Sequence, residues 1–180
     1  MTRGCCGHRT SRADDLDRMP HAPKHVELID GALIFRLLPQ RFWCSSVTTN
    51  LVQALAQAAP AGFDVARQMT VRLDRHSRTE PDALVTTAPY DPDLTWFAPE
   101  DVPLVVEVVS HESAVRDRSL KPFKYAQAGI AHFWRVEEEE DGAPVVHVYE
   151  LDVPTGIHRD RLKLSVPFPP DIDLAALTSV

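Results

Sequence analysis

The chain has 180 residues, is 44% hydrophobic and carries a net charge of −7. That length allows one compact core and is short for two ordinary domains. The acidic balance argues against a broad electrostatic grip on nucleic acid, and no apolar run is long enough to cross a bilayer.

Residues 1–23, which begin MTRGCCGHRTSRADD, hold charge and no hydrophobic stretch. They read as a disordered leader rather than a secretory signal, which leaves 24–180 as a single domain. Cys5 and Cys6, with His8 nearby, fall short of a structural zinc site, which needs about four ligands in paired spacings. Three cysteines, two of them adjacent, form no disulfide framework. That usage fits a reducing compartment and predicts a cytoplasmic protein.

Ordered structure is expected from Lys24. HVELI and ALIFRLL flank Asp30-Gly31, the signature of two strands joined by a two-residue turn. VTTNLVQALAQAA has apolar residues at helical spacing, with Ser45 or Ser46 as N-cap and Gly62 beyond the stop. FDVARQMTVRLD alternates and predicts a strand, and PDALVTT predicts a shorter one. Ala88–Asp101, rich in Pro, Asp and Glu, reads as a loop. VPLVVEVVS is apolar and β-branched, as a central strand covered on both faces should be.

The next helix should end near Gly129. Pro122 would cost about 3 kcal/mol deep inside it and little in its first turn, so the start is placed at Ser119, with Lys121 in the first turn. AHFWRV and PVVHVYEL then predict a hairpin around the acidic run Glu137–Asp141, read as a solvated loop, and a Pro-rich tail follows. Arg116–Lys124 carries two Arg and two Lys against one Asp, which allows a local basic patch.

Glu107 is the most informative residue. A carboxylate inside VVEVV either faces water from an edge strand or is buried at a cost of several kcal/mol unless a metal, a base or a hydrogen-bond network meets it. The flanking valines favour burial. Asp82 follows Pro81 where a strand opens onto a loop, a common place for a turn carboxylate. Adjacent strands could nevertheless present Asp82 and Glu107 to one Mg2+ or Mn2+, hard ions that prefer oxygen ligands. Such an ion polarises a phosphate and activates water, and a nearby lysine would stabilise the developing charge. Lys121 suits that role, with Lys124 as local competitor. Ser110-His111-Glu112 offers a Ser, a His and an acid, but a triad needs residues converging from separate elements.

VELIDG, PDALV, VVEVVS, the D-xxx-K-xxx-Y-xxx-G pattern in DRSLKPFKYAQAG, and HFWRVE together resemble the Uma-two family of restriction endonucleases, from about His25 to Leu177. The resemblance implies an α/β, restriction-endonuclease-like fold: a mixed central β-sheet flanked by helices, with an N-terminal hairpin. It also implies a metal-dependent phosphodiesterase acting on DNA, and a homodimer. It places Asp82 and Glu107 as catalytic metal ligands and Lys121 as the catalytic lysine. Glu27, Asp117 and Tyr125 are secondary candidates: Glu27 as a peripheral ligand or hairpin residue, Asp117 orienting Lys121 or capping the helix, Tyr125 chiefly packing. Two positions depart from the pattern. Val109 stands where the wider superfamily has its lysine, and Cys44 where family members commonly show a histidine. The alternative these departures raise is a catalytically degenerate nuclease fold that binds nucleic acid or a protein.

Overall fold

The computed structural model describes residues 11–18, 25–36 and 38–179. Its first element is a short helix, α1 (Ala13–Asp17), followed by β1 (Val26–Ile29) and β2 (Ala32–Phe35). Asp30 and Gly31 join these strands with φ of 51° and 80°, the two left-handed residues that the expected turn requires. Part of the segment expected to be a disordered leader is therefore structured. Leu16 packs on Val26, Leu28 and Leu33, and Asp17 pairs with Arg72 and Arg78. Cys5, Cys6 and His8 lie outside the described residues.

Helix α2 (Phe42–Ala58) starts earlier than the serine caps suggest. Cys44, Val47, Thr48, Leu51 and Leu55 form one buried stripe, and beginning at Phe42 brings Cys44 onto it. The Trp43 indole N–H also donates to Gly142 O at 2.9 Å, which ties the first turn to the body of the protein.

FDVARQMTVRLD forms two strands, not one: β3 (Asp64–Arg67) and β4 (Thr70–Asp74). Gln68 breaks the run with φ of 52°, and its N–H donates to Asp82 O at 3.3 Å. The two halves enter different sheets. Next come β5 (Ser77–Thr79), β6 (Ala83–Thr86), β7 (Trp96–Phe97) and β8 (Leu104–Val108). The expected loop over 88–101 thus contains a short strand, β7, which pairs parallel with β4.

After β8 the chain forms a π-helical turn over Arg116–Leu120 that runs directly into α3 (Lys121–Gln127). Ser119 is inside this turn rather than capping it, and its hydroxyl donates to Val115 O at 2.6 Å. The Lys121 N–H reaches back to Arg116 O. This widened turn comes where the Pro122 ring would otherwise clash with the preceding carbonyls. The remaining strands are β9 (His132–Glu138), β10 (Pro144–Glu150), β11 (Val153–His158), β12 (Arg161–Lys163) and β13 (Asp171–Asp173). Glu137 and Glu138 belong to β9, so only the later part of the acidic run is a turn.

The strands assemble into two mixed sheets, ordered β11-β10-β9-β8-β6-β3 and β2-β1-β5-β4-β7, with β12 and β13 paired separately. Strand β8 lies between antiparallel β6 and parallel β9 and is buried along its length. Leu104, Val106 and Val108 join Val47, Leu51 and Leu55 of α2 in one core, whereas Val105 joins Tyr125, Ile130, Phe133 and Val71 in another. Each such buried side chain contributes about 1.5–3 kcal/mol. Glu107 is two residues from Val105 and so shares its face, toward α3. No helix among the described residues is long and apolar enough to cross a membrane.

Candidate functional site

The register of three strands builds the site. Antiparallel β6 and β8 bring Ala83 opposite Val106, so Asp82, just before β6, lies beside the end of β8. Its Oδ2 accepts the Val108 N–H at 2.8 Å. Glu27 enters from β1 and accepts the Glu80 N–H at 3.0 Å. Asp117 and Lys121, one turn apart, descend from the π-turn and the start of α3.

Lys121 Nζ sits 2.8 Å from Glu107 Oε1, 3.0 Å from Glu27 Oε1 and 3.3 Å from Asp117 Oδ1. All four of these side chains are 1% exposed. The Tyr125 hydroxyl donates to the same Glu107 oxygen at 2.6 Å. The contact between Lys121 and Asp117 is an ion pair without hydrogen-bond geometry, because both Asp117 oxygens are buried and lack a hydrogen-bond partner. Asp82 has a different cation, Arg36, at 3.5 Å from Oδ1. Arg36 also donates to Glu80 O at 2.8 Å.

Four buried carboxylates therefore share one buried lysine and one half-buried arginine. Burial, helped by Asp117, Asp82 and Glu27 and opposed by Lys121, pushes the Glu107 carboxyl up to about 8. Burial also raises Asp82, against the pull of Arg36 and the Val108 N–H. Glu27 moves the other way: burial is outweighed by Lys121, Arg36 and the Glu80 N–H. Lys121 is held well above its ordinary value, since its carboxylate neighbours overcome the effect of burial.

Asp82 and Glu107 line a common cavity of about 300 Å3, together with Arg36, Arg41, Cys44 and Arg116. The volume is at the lower end of small-molecule sites. Lys121, Glu27, Asp117 and Tyr125 do not line it. The structure thus gathers all six sequence candidates around one cluster but divides them: two carboxylates reach the cavity, and four residues lie behind Glu107.

A family model described as "Putative restriction endonuclease", Uma2, matches residues 13–177. The chain belongs to the Uma2 family. Its fold also matches a crystal structure entitled as a "putative nuclease belonging to DUF820" from Anabaena variabilis ATCC 29413. The TM-score is 0.74 at 18% identity, covering 92% of this chain and 96% of that one. No curated protein matches.

Within the Uma2 chain, Val109 follows the end of β8 and its N–H donates to Val136 O at 2.8 Å, and the lysine that meets Glu107 comes from α3 instead. Cys44 is buried and lines the cavity. Burial and the Asp82 charge push its thiol up. Lys124 pairs with Asp30, away from the cluster. Ser110 bonds to Ser113 at 3.1 Å and not to His111. Tyr125, a secondary candidate expected chiefly to pack, also holds Glu107. One participant, Arg36, was missed from sequence. Arg36 is a lone charge inside the apolar run LIFRLL, the same signal that singles out Glu107.

Proposed function

We propose that this restriction-endonuclease-like chain is a metal-dependent endonuclease that hydrolyses DNA phosphodiester bonds, with Asp82 and Glu107 as ligands of Mg2+ or Mn2+. The observation that carries the reading is the pairing of these two carboxylates on one cavity wall, within a cluster that holds more acid than base. A divalent cation relieves that surplus. Among the described residues no group of three or more His, Cys, Asp or Glu side chains is arranged for a metal. Two carboxylates fit Mg2+, which keeps several waters and is commonly bound by one or two.

When bound, the cation polarises the phosphate and lowers the pKa of an attacking water. The chain's own residues prepare for this. Lys121 and Tyr125 hold Glu107 by Oε1, fixing the carboxylate's orientation toward the cavity. Lys121 acts through Glu107 and is a positioning residue. Asp82 is oriented by the Val108 N–H, and Arg36 offsets part of its charge.

One observation favours a second reading. Asp82 and Glu107 each already have a cationic partner, so the cluster holds together without metal, as a degenerate fold that binds DNA or a protein would require. Calorimetric titration with Mn2+ separates the two. The nuclease reading predicts saturable binding that is lost in Asp82→Asn. Absence of Mn2+ binding to the wild type favours the degenerate fold.

A further inference from the structure

We propose that Arg116 forms an anion subsite on the cavity wall and holds a DNA phosphate neighbouring the one that is cut. This rests on the nuclease reading above. The basic stretch Arg116–Lys124 does not form an open patch. Arg118 pairs with Glu137, Lys121 is buried among carboxylates, and Lys124 pairs with Asp30. Arg116 differs: among the described residues it makes no ion pair, and its Nε is buried without a hydrogen-bond partner.

The contrast holds around the cavity. Arg36 is bound to Asp82 and Glu80 O, Arg41 to Glu138, and His25 to Glu80. Arg116 is the arginine of the wall that no protein acceptor satisfies. Folding normally pairs a buried N–H because leaving one unmade is unfavourable. That Nε is closed to solvent, so a ligand oxygen in the cavity meets the guanidinium through its Nη groups, which have no protein acceptor among the described residues. The guanidinium fork matches phosphate in shape and charge. The hydroxyls of Ser110 and Ser113 line the same wall and can donate alongside it.

The backbone explains how neighbouring residues serve different sites. Arg116 opens the π-helical turn, and Asp117 follows it. Asp117 lies buried in the Lys121 cluster, whereas Arg116 lines the cavity. Such π-turns are frequent at functional sites, where they redirect side chains. Arg116 thereby sets a second anchoring point beside the carboxylates and fixes the register of the strand being cut.

The test is binding of a short fluorescent DNA duplex by anisotropy, in Ca2+, over a range of salt, for wild type, Arg116→Ala and Arg116→Lys, with thermal melting of each. Losing one phosphate contact lowers the slope of log K against log salt by about 0.9. The proposal expects that reduction in Arg116→Ala, recovery of the slope in Arg116→Lys, and unchanged melting. An unchanged slope in Arg116→Ala, with wild type binding normally, overturns the subsite and leaves the nuclease reading intact. A melting loss that Arg116→Lys does not rescue assigns Arg116 to structure and also overturns it. Failure of wild type to bind DNA overturns both.

Discussion

Lys121 Nζ lies 2.8 Å from Glu107 Oε1, with both side chains 1% exposed. The lysine is the first residue of α3 and the carboxylate the penultimate residue of β8. The pair locks helix to sheet at the point where Glu107 reaches the cavity. In an interior of low effective dielectric, such a pair offsets desolvation only if further partners complete it; here Glu27 and Tyr125 do so, whereas Asp117 approaches Lys121 without a hydrogen bond.

Removing the lysine should therefore be costly. Lys121→Ala leaves three carboxylates buried without their cation, and breaking such a pair destabilises by about 3–5 kcal/mol. Urea unfolding at neutral pH measures this. The deficit should shrink in acid, where the carboxylates are protonated. A variant as stable as wild type at neutral pH contradicts the assigned role.

Tyr125→Phe is a milder probe of the same carboxylate. It keeps the ring in its contact with Phe133 and removes only the hydrogen bond to Glu107. With Glu107 protonated below about 8, the loss is that of an ordinary hydrogen bond, about 0.5–1.5 kcal/mol, and it grows once the carboxyl is charged. Because the bond favours the charged form, its loss should push the Glu107 carboxyl further up. Mn2+ titrations at several pH values should show weaker binding at neutral pH and recovery in alkali.

The pH dependence has an unusual sign. Glu107 is raised from 4.5 to about 8 by burial and neighbouring carboxylates, so the folded state holds a proton that the unfolded state releases. Its contribution is full below the unfolded value and is lost as pH rises through about 8. Glu27 is lowered and contributes in the opposite sense, in acid. Between these limits the metal-free protein should lose stability toward alkaline pH, and Glu107→Gln should flatten that decline. Urea midpoints of both proteins across this range provide the check. An equal decline in the variant removes Glu107 as its source.

Much of this was legible in the sequence, for physical reasons. Asp30-Gly31 needs two left-handed residues and has them. VVEVV declares a buried strand because β-branched apolar residues surround one charge that must find a partner, and it finds Lys121. Other features had no local signal. The break at Gln68 looks like continued alternation, although the strands on either side enter different sheets. The π-turn hides because Ser119 and Pro122 imitate a helix start. Tyr125 sits at packing spacing on its helix, and only the fold reveals that its hydroxyl meets Glu107.

The metal-ligand role of Asp82 is open to direct measurement. Asp82→Ala would leave the buried Val108 N–H unpaired, at about 1–3 kcal/mol, whereas Asn retains an acceptor oxygen and removes the charge. The measurement is cleavage of supercoiled and linear DNA in Mg2+ or Mn2+ by wild type and Asp82→Asn, with folding checked by circular dichroism. Wild type is expected to cut in a manner that EDTA stops, and the folded variant not to cut. Equal cutting by both, or no cutting by wild type with either metal on either DNA form, would contradict that role.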